Sequence, residues 1–247
     1  MRVLRKVWLF FLLIYLLPLG AHAAWWTATD TASAWHQADW SSAGLLPRPR
    51  DKREAVVLVY AARVGRWRGI FAHHSWIVIK EKGAENYIRY DKTFWGNPIK
   101  TNNWPADAKW FGHAPTLVGV LEGPSAEALI PKIKAAVQNY PYRRPGSYMA
   151  WPGPNSNTFV ADVLRSTPEL GVALLPTAIG KDWLPFGVFW RTTPSGTGWQ
   201  ASLFGLLGVN VGLAEGFELN ILGLVAGIDP LRPAIKLPGF GRIGLPL

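Results

Sequence analysis

The chain has 247 residues, no cysteine and a formal charge of +10 at neutral pH. Hydrophobic residues make up 49 % and charged residues 17 %, which excludes a disordered chain and suits one domain of roughly 200 residues behind a leader. Without cysteine the chain has neither disulfides nor a thiol nucleophile. The histidines lack metal-ligand spacing, and there is no Asp-rich loop or phosphate-binding glycine loop, so we predict no metal and no cofactor.

The first 23 residues follow the pattern of an export signal. An apolar run at residues 7–19 precedes an Ala-x-Ala cleavage site at residues 21–23, and it follows a basic region formed by Arg2, Arg5 and Lys6. The run is short for a membrane span, which needs about 20 residues, but it extends to Trp26 if the leader is retained. We predict a cleaved signal peptide or an uncut membrane anchor over residues 1–23. Either one makes the protein exported, periplasmic or membrane-anchored on the extracytoplasmic side.

Pro18 and Gly20 are expected to break the leader helix, and residues 24–53 are expected to form an extended lead-in. The leader carries three positive charges, so the remainder carries 10 − 3 = +7. In an exported protein this surplus favours anionic envelope polymers or lipid headgroups over nucleic acid, or serves solubility alone. We predict an envelope component (peptide, lipid or acylated polymer) as partner and no nucleic acid. The oligomeric state is not predicted.

The central part of the chain predicts strands and helices in alternation. Four apolar runs have the length and composition of strands: residues 55–61, 75–79, 86–90 and 117–121. Residues 97–115 are expected to be a polar loop. Residues 125–140 predict an amphipathic helix with Ser125 as its cap.

A turn rich in Pro and Gly leads into the most informative stretch, residues 152–160. Asn155 and Ser156 are both good N-caps for a helix predicted over residues 156–166. Ser156 therefore lies at a helix N-terminus, where unpaired amides and the helix dipole favour negative charge. Two interpretations are open at this point, a helix cap or a nucleophile that passes charge to an oxyanion.

The C-terminal region is apolar and rich in glycine. Gly208, Gly212 and Gly216 have the four-residue spacing of a small-residue face on a membrane helix. Apolar residues nevertheless alternate with polar ones on either side of residues 214–216, a period of two that favours a β-hairpin.

Two resemblances rest on these segments. Residues 155–159, Asn-Ser-Asn-Thr-Phe, resemble the Asn-Cys-Asn-Thr/His-Phe signature of the permuted papain-like thiol hydrolases, which include PPPDE-type, lecithin:retinol acyltransferase-like and NlpC-like enzymes. The chain also resembles an uncharacterised bacterial family, domain of unknown function family 3750, over residues 35–47, 67–80, 151–159, 176–182 and 236–244. Ser156 occupies the position of the catalytic cysteine.

The papain-like resemblance implies roles for particular residues. Ser156 would be the nucleophile and His74 its base, chosen over His73 because only His74 keeps the family's spacing to the strand. Asp91 or Tyr90 would orient the imidazole, and the amides of Ser156 or Asn157, next to Asn155, would bind the oxyanion.

A basic aromatic turn offers a second candidate set, formed by Arg66, Trp67 and Arg68. Two cations beside a flat ring can clamp a phosphate or carboxylate and stack on a ligand. The alternative is a solvated turn with a buried tryptophan.

We therefore predict an α+β fold in which an antiparallel sheet packs against helices. Residues 54–195 would form a permuted papain-like (NlpC-like) core and residues 196–247 a glycine-rich C-terminal β extension with a hairpin. The predicted function is a cell-envelope Ser/His hydrolase or acyltransferase acting on an amide or ester. The first alternative is a catalytically inactive module that binds an anionic or acylated envelope component, and the second is a lipid-surface protein that uses its C-terminal region and its tryptophans.

Overall fold

The computed structural model describes residues 1–30 and 34–245, and within them the protein is α+β with two antiparallel sheets. One sheet has five strands and packs against two helices. The other has seven strands and follows it in the chain.

A long apolar helix opens the chain. It consists of α1 (Arg2–Phe11), a π-helical turn (Leu12–Leu16) and α2 (Leu17–Thr29). The predicted break at Pro18 and Gly20 is wrong, because the residues before Pro18 are themselves helical and Pro18 is accommodated directly after the π-helical turn. The helix consequently continues to Thr29, into the segment expected to be an extended lead-in.

The five-stranded sheet has the order β4-β3-β2-β1-β5, and all of its neighbours are antiparallel. Its strands are β1 (Val56–Arg63), β2 (His73–Lys80), β3 (Ile88–Lys92), β4 (Ile99–Thr101) and β5 (Thr116–Glu122). All four predicted strands of this region are present. The short strand β4 lies inside the segment expected to be a loop, because Lys100 pairs with Asp91 at the edge of the sheet.

Two helices cover one face of this sheet, α3 (Gly123–Gln138) and α4 (Ser156–Ser166). The predicted cap Ser125 is wrong, since α3 begins two residues earlier with Pro124 in its first turn, where the fixed φ of proline suits a helix start. Side chains of both helices form the main core with alternate residues of β1 and β2.

The two faces of β2 have different neighbours. Ile77 and Ile79 join the core beneath α3 and α4. Trp76 and Val78 point the other way, into a second cluster with Trp110. This alternation follows from the period of two in a strand, and it fixes the face on which each candidate side chain lies.

The seven-stranded sheet is a meander in the order β12-β11-β10-β9-β8-β7-β6. Its strands are β6 (Trp190–Thr192), β7 (Gly198–Leu203), β8 (Leu207–Gly212), β9 (Gly216–Ile221), β10 (Leu224–Asp229), β11 (Ala234–Leu237) and β12 (Gly241–Gly244). The predicted hairpin is the pair β8–β9, which closes where Gly212 faces Gly216. The membrane-helix alternative for this region is therefore wrong.

A buried ionic cluster joins this sheet to the loop that follows α4. Lys181 contacts Asp182 at 2.8 Å and Glu218 at 2.6 Å, and Lys236 contacts Glu218 at 2.5 Å. Asn210 donates to both carboxylates at 2.8 Å. Two cations and two carboxylates balance one another, so the cluster is neutral and its charges are paired and hydrogen-bonded, as burial of charge requires.

Candidate functional site

A capping box fixes the start of α4. The Asn155 side chain accepts from the backbone N–H of Asn157 at 2.9 Å and of Thr158 at 3.1 Å, while Thr158 Oγ1 accepts from the Asn155 N–H. The Asn155 amide also donates to the carbonyls of Ala150 and Ile179. Ser156 is consequently the first residue of the helix and is buried at 4 % exposure, so its predicted position at a helix N-terminus is confirmed.

Asn157 holds the start of α4 against the start of β2. Its Nδ2 donates to His73 O at 2.9 Å and to Ile179 O at 2.8 Å. The His73 N–H in turn donates to Thr177 O at 3.0 Å. The helix N-terminus therefore lies beside the backbone of β2 immediately before His74.

His74 forms a buried pair with Asp91 on the neighbouring strand. His74 Nε2 lies 2.8 Å from Asp91 Oδ1. Arg89 donates two hydrogen bonds to the same carboxylate, from Nε at 2.7 Å and from Nη2 at 2.8 Å. Val78 of β2 faces Arg89 of β3, so the register of the two strands puts all three polar side chains on one face of the sheet. The sequence had offered both Asp91 and Tyr90 as partners of His74, and the structure brings Asp91 to it.

The charges of this group define the hydrogen-bonding roles of the imidazole. Burial favours the neutral acid of Asp91, but the Arg89 guanidinium and the hydrogen bonds outweigh burial and lower the pKa of Asp91. Burial also lowers the pKa of His74, although Asp91 offsets part of the effect. A carboxylate only accepts hydrogen bonds, so Nε2 of a neutral His74 carries the proton and Nδ1 keeps a lone pair.

Aromatic rings enclose the His74–Asp91–Arg89 group. The His74 ring stacks on Trp110 with centroids 3.8 Å apart and planes at 9°. The Arg89 guanidinium lies over the Trp76 ring at 4.0 Å, and Arg89 also donates to Pro105 O. These contacts remove water from the ion pair and hold the imidazole in one orientation.

Sequence reasoning did not single out Tyr148, whose hydroxyl lies close enough to Ser156 to interact with its side chain and its backbone. Burial raises the pKa of Tyr148, and the interactions with Ser156 and the charge of Arg68 offset part of that rise. The phenol is therefore protonated at neutral pH. No pattern in the sequence marks Tyr148, because its loop has no periodicity.

The structure leaves other predicted residues outside this group. Tyr90 points to the opposite face of β3 and packs against the main core. Arg66, Trp67 and Arg68 lie in an exposed 3₁₀ turn (Arg66–Ile70), with the Arg68 guanidinium 5.0 Å from the centre of the Trp67 ring.

The buried tryptophan expected as the alternative for this turn is wrong, since Trp67 is 58 % exposed. Among the described residues no hydrogen bond joins Ser156 to His74. In the same part of the chain, no group of three or more His, Asp or Glu side chains is placed to hold a metal ion.

The fold and this site define the protein as an α+β domain with a buried His–Asp–Arg group beside a serine-initiated helix. The family described as "Protein of unknown function (DUF3750)" has a model that matches residues 54–183, more than half of the chain. The chain belongs to this family, as its sequence had indicated. Searches of curated proteins and of solved structures each found no match.

Proposed function

We propose that the protein has a permuted papain-like cleft in which Ser156 is the nucleophile, His74 the general base and Asp91 the residue that orients the base. The observation that carries the proposal is the His74–Asp91 contact of 2.8 Å, which leaves Nδ1 of His74 as a proton acceptor next to the strand end that Asn157 binds. The activity would be hydrolysis or transfer of an acyl group from an ester or amide.

An alcohol needs more help than a thiol. Its proton must leave during attack, so the base has to reach Ser156 Oγ, and the developing oxyanion needs donors. The Asn157 amide expected as a donor is already bound to Asn155 Oδ1, as is that of Thr158, so the Ser156 N–H is the first-turn amide that would donate to the oxyanion, with the Tyr148 hydroxyl close to Ser156 as a second donor. Arg68, whose charge lowers the pKa of Tyr148, would attract a substrate with a negative charge.

The N-terminal helix supports a location at the cell envelope. Residues Arg2–Thr29 are long and apolar enough to cross a membrane, with mean hydropathy of 2.0 in the most apolar window. Such a helix is compatible with a retained anchor or an export signal. We propose that the domain faces the extracytoplasmic side and that its substrate is an envelope component.

A second candidate function is binding without catalysis. It is favoured by the lack of a hydrogen bond between Ser156 and His74 among the described residues. In this alternative the cleft would bind an anionic or acylated envelope component, and Ser156 would act only as a helix-start residue.

Labelling with a small fluorophosphonate, read by intact mass on the detergent-solubilised full chain, separates the two functions. Catalysis predicts one adduct on the wild type that is lost in Ser156→Ala and in His74→Ala. Ser166→Ala, an exposed serine at the other end of α4, is the matched control and should label like the wild type. An unlabelled wild type with native circular dichroism would reject the activated serine, whereas equal labelling of Ser156→Ala would assign the adduct elsewhere.

A further inference from the structure

The seven-stranded sheet has an apolar face that points away from the rest of the protein. We call this the outer face. It is formed by alternate side chains of β6 to β12, which are Trp190, Thr192, Trp199, Ala201, Leu203, Leu207, Val209, Val211, Phe217, Leu219, Ile221, Leu224, Ala226, Ile228, Ile235, Leu237 and Ile243. No charged side chain is among them.

The opposite face of the same strands is largely polar and, away from the edge strand β6, buried. It carries Gln200, Asn210, Glu218, Asn220 and Lys236, all of them at most 3 % exposed. A one-sided antiparallel sheet in water normally buries its apolar face and exposes its polar one. This sheet has the reverse pattern, which is the pattern of strands that face lipid.

The exposure of the outer face is substantial. Trp199 is 60 % exposed, Val211 53 % and Ile235 48 %. Seven strands at ~4.8 Å spacing, each of three to six residues at ~3.4 Å rise, give a face of roughly 600 Å². A contiguous apolar patch of that size is at the upper end of what soluble monomers expose and marks an interaction surface.

The N-terminal helix lies on this same face. Tyr15 donates its hydroxyl to Leu219 O at 2.8 Å and is fully buried, and Ala226, the cross-strand partner of Leu219, is only 5 % exposed. Away from this contact the helix is open, with only 11 % of its most apolar window buried. A helix with the length and composition of a membrane span and the outer face thus form one continuous apolar surface.

We propose that the outer face of the seven-stranded sheet rests on a lipid bilayer, with its side chains at the boundary of headgroups and acyl chains. The continuity with the N-terminal helix selects lipid over a second copy of the chain or another protein. Trp190 and Trp199, 66 % and 60 % exposed, are residues that favour this boundary, where an indole has both an apolar and a wet side. The basic start of the helix (Arg2, Arg5 and Lys6) would meet anionic headgroups.

The contact does not depend on the proposed catalysis, because the outer face contains none of the site residues. The contact adds to the proposed location at the cell envelope, because it would hold the domain flat against the membrane rather than on a free tether. A substrate that is itself a membrane component would then be met at the surface where it resides.

The absence of cysteine permits a direct test with single labels on the full chain. Val211→Cys and Ile235→Cys report the outer face, and Glu127→Cys on α3, whose native side chain is 53 % exposed, is the matched control. Each variant carries an environment-sensitive NBD label in nanodiscs of phosphatidylcholine and phosphatidylglycerol that hold one chain per disc. Bleaching by dithionite from the aqueous side is then measured.

Lipid contact predicts blue-shifted NBD emission and several-fold slower bleaching at Val211 and Ile235 than at Glu127. Equal bleaching at all three positions would overturn the proposal. Protection that appears only in discs holding two chains would also overturn it, in favour of a dimer. Ile228→Cys, 52 % exposed in the original chain, replaces either outer-face variant that fails a circular dichroism check.

Discussion

Replacing Asp91 with asparagine should destabilise the protein by about 3–5 kcal/mol, because it removes one partner of a fully buried ion pair. The carboxylate accepts two hydrogen bonds from Arg89 and one from His74, and the side chains of Asp91 and Arg89 have no exposed area. In the variant the Arg89 guanidinium stays buried without a counter-ion, since the amide oxygen of asparagine, Pro105 O and the Trp76 ring carry no full negative charge.

This loss of stability can be measured by thermal and chemical unfolding. For a chain of this size, each kcal/mol corresponds to about 2–4 °C in Tm, so Asp91→Asn should lower Tm by about 6–20 °C. Glu127→Gln, which breaks the exposed pair of Lys82 and Glu127 at 3.6 Å, is the control and should leave Tm essentially unchanged.

A double variant tests whether the uncompensated charge is the cause. Asp91→Leu with Arg89→Met removes both charges and should be more stable than Asp91→Leu alone, since a buried ion pair replaced by apolar side chains leaves no unpaired group. A loss below about 1 kcal/mol in Asp91→Asn, or no recovery in the double variant, would refute this account of the site.

Three further results are expected. Burial favours protonation of Glu218, but Lys181 and Lys236 outweigh burial and lower its pKa to about 2. The stabilisation by the Glu218 carboxylate should be complete above its pKa in the unfolded chain, about 4.3, and should be lost as the pH falls toward 2. The difference in unfolding free energy between the wild type and Glu218→Gln should therefore narrow over that pH range. Ser156→Cys gives the protein a single thiol, whose pKa can be measured from the pH dependence of its reaction with iodoacetamide. If His74 is the base, this pKa should lie below the usual ~8.5 and should rise back to that value when His74→Ala is added. A thiol pKa that is not lowered would favour binding without catalysis. Asn155→Ala should cost about 2–4 kcal/mol in urea unfolding, because a helix cap and the hydrogen bonds to the carbonyls of Ala150 and Ile179 are lost, and a cost near zero would contradict the capping box.

Some features of the site followed directly from local sequence. The Pro-Gly turn, the capping residue and the apolar positions of residues 155–164 are consecutive, so the start of α4 and the place of Ser156 were predictable. The strand predicted over residues 75–79 followed from its apolar run, and in the structure β2 begins two residues earlier, at His73.

The partner of His74 was not predictable, because it depends on register. Tyr90 and Asp91 are neighbours in sequence and point to opposite faces of β3, so a shift of one residue between β2 and β3 would exchange them. The contact of Tyr148 with Ser156 likewise joins a loop to a helix through packing, and a loop without periodicity gives no pattern to interpret.

The sequence alone favoured β-structure over a membrane helix in the C-terminal region, because a period of two is a local property of the chain. It did not determine which face of those strands is buried, since the same alternation of polar and apolar residues is expected whether the apolar or the polar face lies inside. Only the tertiary structure decided this, by bringing Lys181 and Asp182 from a distant loop against Glu218 and Lys236. Those long-range ion pairs draw the polar face inward and leave the apolar face outside, where the N-terminal helix meets it.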